Sequence, residues 1–263
     1  MIRKIRSQIT NYTHSHTTMD IPVIYEDDGL MVINKPAGVV VFPEGQTKDN
    51  TIIDYLIDKY PLLKNAGVSP RYGIIHRLDK DTSGVLLVAK NNSALEYYQK
   101  QFKDRKIEKK YWALVYGIVT EKSGLIDTLI NRSLKNRLKQ GIYPLDDPEA
   151  IRRSGSRQAI TEWRLIESFG DKESGYSLLE LLPKTGRKHQ IRAHLAYFGH
   201  PIVNDKLYSF KDQKMITQLN RQFLHAYSLR VIVGGKNKEF IARLPQELEN
   251  TLKALKSQKY ANN

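Results

Sequence analysis

The chain has 263 residues and no cysteine, which excludes disulfides, thiolate catalysis and Cys-ligated zinc. Its 42 Lys and Arg against 28 Asp and Glu give a formal net charge of +14, which favours a polyanionic partner. No apolar run is long enough to span a bilayer or to form a secretory signal, so we expect a cytoplasmic protein without a membrane segment.

The first part of the chain begins with residues 1–20, a polar and basic stretch that predicts a terminal arm rather than a domain. Apolar runs at residues 22–26 and 30–34 flank an Asp-Asp-Gly turn and predict a β-hairpin. A helix is expected from Thr51 to near Pro61, because apolar residues recur there with helical spacing.

Two short apolar runs, residues 73–75 and 85–89, predict buried strands on either side of a turn that ends in Gly84. Asp79 lies in this turn, close to the cationic Arg77. A carboxylate beside fixed cations stays ionised and can act as a nucleophile, but an aspartate in a turn can equally cap the turn. The residues by themselves leave both interpretations open.

The middle of the chain predicts a helix at residues 91–102 and a buried strand at residues 110–119, which are apolar on both alternating faces. Residues 131–157 hold seven Lys or Arg and three acids, and Gly and Pro interrupt any periodicity there. They predict a long basic loop, which we expect to contact the backbone of a polyanion.

The last part of the chain is predicted to be a run of strands between helices. Strands are expected at residues 159–166, 176–182, 224–233 and 240–244. A helix with an apolar stripe and a basic polar face is predicted to begin at Arg187. A closing helix at residues 245–256 precedes a short tail, residues 258–263.

Four motifs follow one another in a fixed order. They are Asn-Lys-Pro-Ala-Gly at residues 34–38, His-Arg-Leu-Asp-Lys-Asp-Thr-Ser-Gly at 76–84, Lys-x-Tyr-x-Ala-x-Val at 109–115 and Thr-Gly-Arg-x-His-Gln-Ile-Arg-x-His at 185–194. Together they resemble the signature of the RluA-type RNA pseudouridine synthases, and the similarity extends over roughly residues 22–250.

The resemblance implies an α+β fold, with a mixed, mostly antiparallel sheet, flanking helices and a central active-site cleft. The catalytic domain would cover residues 21–257, without the small S4 RNA-binding domain that many relatives carry before it. The implied activity converts specific uridines of ribosomal RNA or tRNA to pseudouridine. We expect a monomer that needs no cofactor and no metal.

The resemblance also implies roles for individual residues. Asp79 would support cleavage of the sugar–base bond as nucleophile, Arg192 would hold Asp79 ionised and oriented, and Tyr111 would pack on the uracil. Arg77 would fill the gap that the flipped base leaves. Further RNA contacts are expected from His76, Arg187, His189, Lys135, Arg137 and Lys139.

Other classes of protein fit the sequence less well. A basic RNA-binding protein without chemistry needs no carboxylate among its cations, since an anion there repels phosphate. A nucleoside hydrolase would use two carboxylates, and the motifs supply one. The spacing of His189, His194 and His200 differs from the helical spacing of zinc proteases, and nearby arginines would repel a cation.

Overall fold

The structure is a computed structural model that describes residues 19–43, 50–171 and 174–261. The predicted N-terminal arm therefore lies outside the described residues, apart from Met19 and Asp20. The elements in chain order are β1 (Val23–Glu26), β2 (Leu30–Lys35), α1 (Ile52–Lys59), a 3₁₀ helix (Pro61–Asn65), β3 (Ser83–Ala89), α2 (Asn92–Lys103), β4 (Glu108–Tyr116), β5 (Ser123–Arg132), β6 (Gln140–Tyr143), α3 (Pro148–Arg152), β7 (Arg157–Phe169), β8 (Tyr176–Pro183), α4 (Gln190–Tyr197), β9 (Leu224–Val233), β10 (Lys236–Ile241) and α5 (Gln246–Ala261).

The ten strands in the described part of the chain form one sheet, in the order β1-β2-β3-β9-β4-β8-β7-β5-β6, with β10 paired to β9. Every pairing is antiparallel except β3 with β9, which run parallel where Gly84 lies opposite Ala226. Gly84 has φ +121°, and a Cβ on it would lie 2.2 Å from the carbonyl oxygen of Ala226, so this close approach requires glycine. The predicted α+β fold with a mixed, mostly antiparallel sheet is confirmed.

Local side-chain hydrogen bonds define the first elements. Asp27 closes the β1–β2 hairpin by accepting two backbone N–H groups at 2.7 and 2.8 Å. Thr51 and Asp54 form a capping box at the start of α1, and Asn91 caps α2 by accepting the N–H of Ala94 at 2.9 Å. The predicted hairpin and both predicted helices are therefore confirmed.

Two apolar clusters cover the two halves of the sheet. One packs α1 against β2 and β3, and the other packs α4 and α5 against β4 and β8. Tyr111 contacts both clusters from its place on β4. The middle of the sheet, where β3, β9 and β4 are neighbours, is thus where two packed halves meet, and a site there has packed backbone on both sides.

The predicted strand at residues 73–75 is wrong, since this range makes only one isolated bridge to β3. Instead, Nε2 of His76 accepts the backbone N–H of Leu87 at 3.1 Å. The imidazole takes the hydrogen bond that a neighbouring strand would otherwise make. This side chain fixes the segment that leads into Asp79, together with backbone hydrogen bonds from Ala89 to Gly73 at 2.7 Å and from Ile75 to Leu87 at 3.4 Å.

The long irregular loop predicted at residues 131–157 is also wrong, because this range contains β6, α3 and the ends of β5 and β7. The short β6 pairs with β5, and the hydroxyl of Tyr208 accepts the backbone N–H of Gln140 at 2.7 Å. A four-residue strand held by a distant tyrosine shows no periodicity in the sequence. Three short irregular segments remain, and the longest of them, residues 133–139, is called the β5–β6 loop below.

The C-terminal elements follow the predicted order. The predicted strands at residues 159–166, 176–182 and 224–233 are confirmed within β7, β8 and β9. The helix α5 packs on the sheet through the buried Leu248, Leu252 and Leu255 and continues past its predicted end at residue 256 into the predicted tail. No helix in the described ranges has the length and apolar character needed to cross a membrane.

Candidate active site

A cavity of about 300 Å³ opens at the centre of the sheet, between the loop before β3, the start of β4 and the loop before α4. Seven of the ten residues predicted for the site line it, namely His76, Arg77, Asp79, Tyr111, Arg187, His189 and Arg192. The other three lie on the β5–β6 loop and do not line the cavity: Lys135 and Arg137 are exposed, and Lys139 is half-buried. The sequence motifs therefore converge in space, whereas the basic loop lies outside the cavity.

An arginine between two carboxylates forms the centre of the site. Nη1 of Arg192 donates to Oδ2 of Asp79 at 3.2 Å. Its Nε and Nη2 donate to the two carboxylate oxygens of Asp205, at 2.7 and 2.9 Å. Asp205 is fully buried, whereas the side chain of Asp79 is 20% exposed. The bidentate pair fixes the guanidinium, and the guanidinium in turn orients a carboxylate that a substrate can reach.

The charge on Arg192 is secured by its partners. Burial opposes the cationic form, but the hydrogen bonds and attraction of Asp205, and then of Asp79, outweigh burial and raise the pKa of Arg192. Arg192 therefore remains a cation at every pH at which the protein is folded. The cationic side chain beside Asp79 is a permanent feature of the cavity.

Asp205 is the residue that the sequence analysis missed. Besides binding Arg192, its Oδ1 accepts the backbone N–H groups of Leu207 at 2.9 Å and Tyr208 at 3.1 Å. A buried aspartate needs such partners, because an unpaired carboxylate is strongly unfavourable inside a protein. Asp205 lies outside the four motifs, and its burial cannot be read from the sequence.

The loop before α4 is closed by a glutamine. The predicted start of this helix at Arg187 is wrong, since α4 begins at Gln190 and His189 has a left-handed backbone with φ +53°. Oε1 of Gln190 accepts the N–H of Arg187 at 3.0 Å and the hydroxyl of Thr185 at 2.8 Å, which folds the preceding residues into a turn. All residues from Gln190 to Leu195 are buried, so α4 lacks the predicted basic polar face and carries Arg192 into the interior.

Two buried cations hold the backbone that follows Asp79. Nζ of Lys35 donates to the carbonyls of Lys80 at 3.0 Å and Thr82 at 2.9 Å, and Arg221 donates to the carbonyl of Asp81 at 3.0 Å. Burial, with repulsion from Arg221, lowers the pKa of Lys35 to about 7. These contacts position the loop and do not themselves reach the cavity opening.

The phenol and the two imidazoles that line the cavity stay uncharged near neutral pH. Burial, aided by the charge of Asp79, raises the pKa of Tyr111, so its hydroxyl remains protonated. Burial lowers the pKa of His76 to about 3 and that of His189 to about 4, although Asp79 opposes the second shift. The cavity thus combines a neutral phenol and neutral imidazoles with the Asp79–Arg192 pair and with further basic residues, Arg77, Lys109, Arg187 and Lys188.

The sequence profile of the RNA pseudouridylate synthase family matches residues 29–197. The chain belongs to this family. It is 39% identical over 234 residues to an uncharacterized RNA pseudouridine synthase of Synechocystis sp., covering 88% of this chain and 68% of that protein. It is also 39% identical over 235 residues to the ribosomal large subunit pseudouridine synthase D of Borreliella burgdorferi, covering 88% and 67%.

Solved structures of the family share the fold. The human RNA pseudouridylate synthase domain containing 4 protein superposes with a TM-score of 0.69 at 27% identity, over 89% of this chain and 93% of that chain. The human domain containing 1 protein gives a TM-score of 0.67 at 25% identity, over 92% and 97%. The predicted resemblance is confirmed, and the chain is an isomerase of the RNA pseudouridine synthase class.

Proposed function

We propose that this synthase converts uridine to pseudouridine in ribosomal RNA, with Asp79 as the nucleophile. The observation that carries the proposal is the Asp79–Arg192 pair, because Asp79 is the one carboxylate among the described residues that line the cavity. The names of two relatives support the RNA class: both the Borreliella burgdorferi and the Haemophilus influenzae proteins, 39% and 34% identical, are ribosomal large subunit pseudouridine synthases D.

The proposed reaction is an isomerisation that needs no added reagent. The bond between C1′ and N1 of the uridine breaks, a bond between C1′ and C5 forms, and the proton on C5 moves so that N1 regains one. Oδ2 of Asp79 is bound by Arg192, whereas Oδ1 has no hydrogen bond within the described residues and is available to the substrate. The arginine orients the nucleophile before the substrate arrives.

The residues that line the cavity can accommodate a uridine that is no longer stacked in the RNA. A base inside a duplex cannot reach Asp79, so the nucleotide must be flipped into the cavity. Tyr111 offers an apolar ring to the uracil, and its protonated hydroxyl lies beside the charge of Asp79. Arg77 is exposed at the opening with its guanidinium carbon 5.6 Å from the centre of the Phe42 ring, where it can fill the gap in the RNA.

The β5–β6 loop is proposed to bind the RNA backbone outside the cavity. Its Lys135 and Arg137 are exposed, whereas Lys139 is half-buried with its Nζ 5.7 Å from the centre of the Tyr208 ring. The same ring packs against Arg192, with the guanidinium carbon 5.2 Å from its centre, so the loop adjoins the wall of the cavity. We expect the enzyme to act as a monomer in the cytoplasm.

The proposal is tested with purified protein and unmodified transcripts of large-subunit ribosomal RNA and of tRNA. Pseudouridines are mapped by mass spectrometry after incubation. We expect modification of a uridine in a loop or irregular junction of the ribosomal transcript, and a strong loss when that uridine is locked into a continuous duplex. Modification of the tRNA transcripts alone would overturn the ribosomal assignment, and no pseudouridine in either RNA would overturn the proposed activity.

A further inference from the structure

One cation of the cavity has no part in the roles above. Lys109 lies two residues before Tyr111 on β4, so the alternation of the strand turns both side chains towards the same face. Both line the cavity. A Cβ on Gly186, in the loop before α4, would lie 3.9 Å from Nζ of Lys109, so the ammonium group reaches across to that loop.

The ammonium group of Lys109 has no hydrogen bond and no ion pair within the described residues. Its neighbours differ: Arg192 binds two carboxylates, and Lys110 approaches Glu108 and Glu239, at 3.7 and 3.5 Å. Burial lowers the pKa of Lys109 to about 8, which reflects the unfavourable position of a cation without a counter-ion. An anion that enters the cavity would supply the missing counter-ion for Lys109.

The nucleotide that is proposed to enter carries one permanent anion. Uracil and ribose are neutral at neutral pH, whereas each phosphodiester is ionised. Side chains two residues apart on a strand are separated by about 7 Å. A nucleotide whose base packs on Tyr111 can therefore place its phosphate near Lys109, and a lysine ammonium is a common phosphate ligand.

We propose that Lys109 binds the phosphodiester next to the flipped uridine and so anchors the target nucleotide in the cavity. This inference rests on the proposed function. It assigns Lys109 to substrate binding and leaves the reacting bonds to Asp79. The competing assignment is that Lys109 stabilises charge on the departing uracil. In that case, substituting Lys109 would lower the rate at saturating RNA rather than the affinity.

The first test compares Lys109→Met with Lys110→Met, the matched control on the opposite face of the same strand. The probe is an RNA stem-loop with a single uridine in its loop. For Lys109→Met we expect the Kd to rise about ten-fold, and the slope of log affinity against log salt to fall by about 0.7 to 0.9. The single-turnover rate at saturating RNA should stay within about three-fold of wild type. Lys109→Arg should restore the slope, and Lys110→Met should change none of these values.

The second test neutralises the partner on the RNA. A methylphosphonate is placed on one side and then on the other side of the loop uridine, and affinities are measured with the wild type and Lys109→Met. For one of the two linkages, the neutral group should weaken binding to the wild type but cause no further loss with Lys109→Met, because both changes remove the same contact. Equal losses with both proteins at both linkages, or a Lys109→Met effect confined to the saturating rate, would overturn the assignment.

The two proposals fail in different ways. If the wild type binds the stem-loop but makes no pseudouridine in it or in ribosomal RNA, the proposed function fails, while the binding comparison still decides the role of Lys109. If the wild type makes pseudouridine and Lys109→Met has an unchanged Kd and salt slope, only the assignment of Lys109 fails.

Discussion

The cavity and the β5–β6 loop both present positive charge, but they hold it in opposite ways. In the cavity, Arg192 is buried and bound to carboxylates on two sides. On the loop, Lys135 and Arg137 are exposed and Lys139 is half-buried, and none of them forms an ion pair within the described residues. A buried, fully bonded charge keeps one geometry, whereas exposed side chains adapt to phosphates in many positions. From this difference we expect the cavity to carry out the reaction and the β5–β6 loop to bind the RNA backbone.

Removing the charge that holds Arg192 should give the larger effect. Asp205→Asn keeps the shape of the side chain but leaves the buried guanidinium with one anionic partner. We expect the single-turnover rate at saturating RNA to fall about 100-fold, as for loss of one preorganised electrostatic contact, with a Kd within about three-fold of wild type. Asp146→Asn, at an exposed position, is the control. An unchanged rate in a folded Asp205→Asn protein would show that Asp205 does not position Arg192.

Removing the charges of the β5–β6 loop should change affinity instead. The triple substitution Lys135→Ala, Arg137→Ala and Lys139→Ala should raise the Kd about ten-fold at moderate salt. It should lower the slope of log affinity against log salt by about 2, since each phosphate contact adds to that slope. The rate at saturating RNA should not change. The control replaces three exposed lysines elsewhere, Lys64, Lys236 and Lys253. A slope equal to that of wild type would mean that the loop does not touch the RNA.

The remaining expected effect is a loss of stability at acid pH. His194 and His225 are fully buried, and burial lowers the pKa of each to about 4. The unfolded chain binds these protons near pH 6.5, before the folded protein does, so stability is complete above that pH and is lost as the pH falls towards 4. Each histidine contributes up to about 3 kcal/mol to this loss. Urea unfolding of the wild type and of His194→Gln measures it, and a stability that does not fall with acid would contradict it.

Much of the fold was predictable because local chemistry defines it. The Asp-Asp-Gly hairpin, the capping box of Thr51 and the Asn91 cap each depend on neighbours within a few residues. The motif residues could also be assigned to one site, and seven of them line one cavity. Their convergence followed from the resemblance and not from any pattern in the residues themselves.

The features that the sequence did not predict depend on contacts between distant segments. The His76 ring replaces a strand partner for Leu87, and a bond from Gln140 to Tyr208 holds β6. The role of Asp205 could not be predicted for the same reason, because it depends on complete burial against Arg192. Periodicity and turn composition report only on nearby residues, so such contacts leave no local signal.

The central claim is that the cavity carries out the reaction while the β5–β6 loop binds the RNA. The single-turnover yield of pseudouridine from Asp79→Asn at saturating RNA tests this claim most directly. Asparagine is nearly isosteric and can still accept a hydrogen bond from Arg192, but it cannot act as an anionic nucleophile. We predict no detectable pseudouridine, with a Kd for RNA within about three-fold of wild type. Substantial turnover by Asp79→Asn would contradict the assignment of Asp79, and with it the claim that the cavity carries the chemistry.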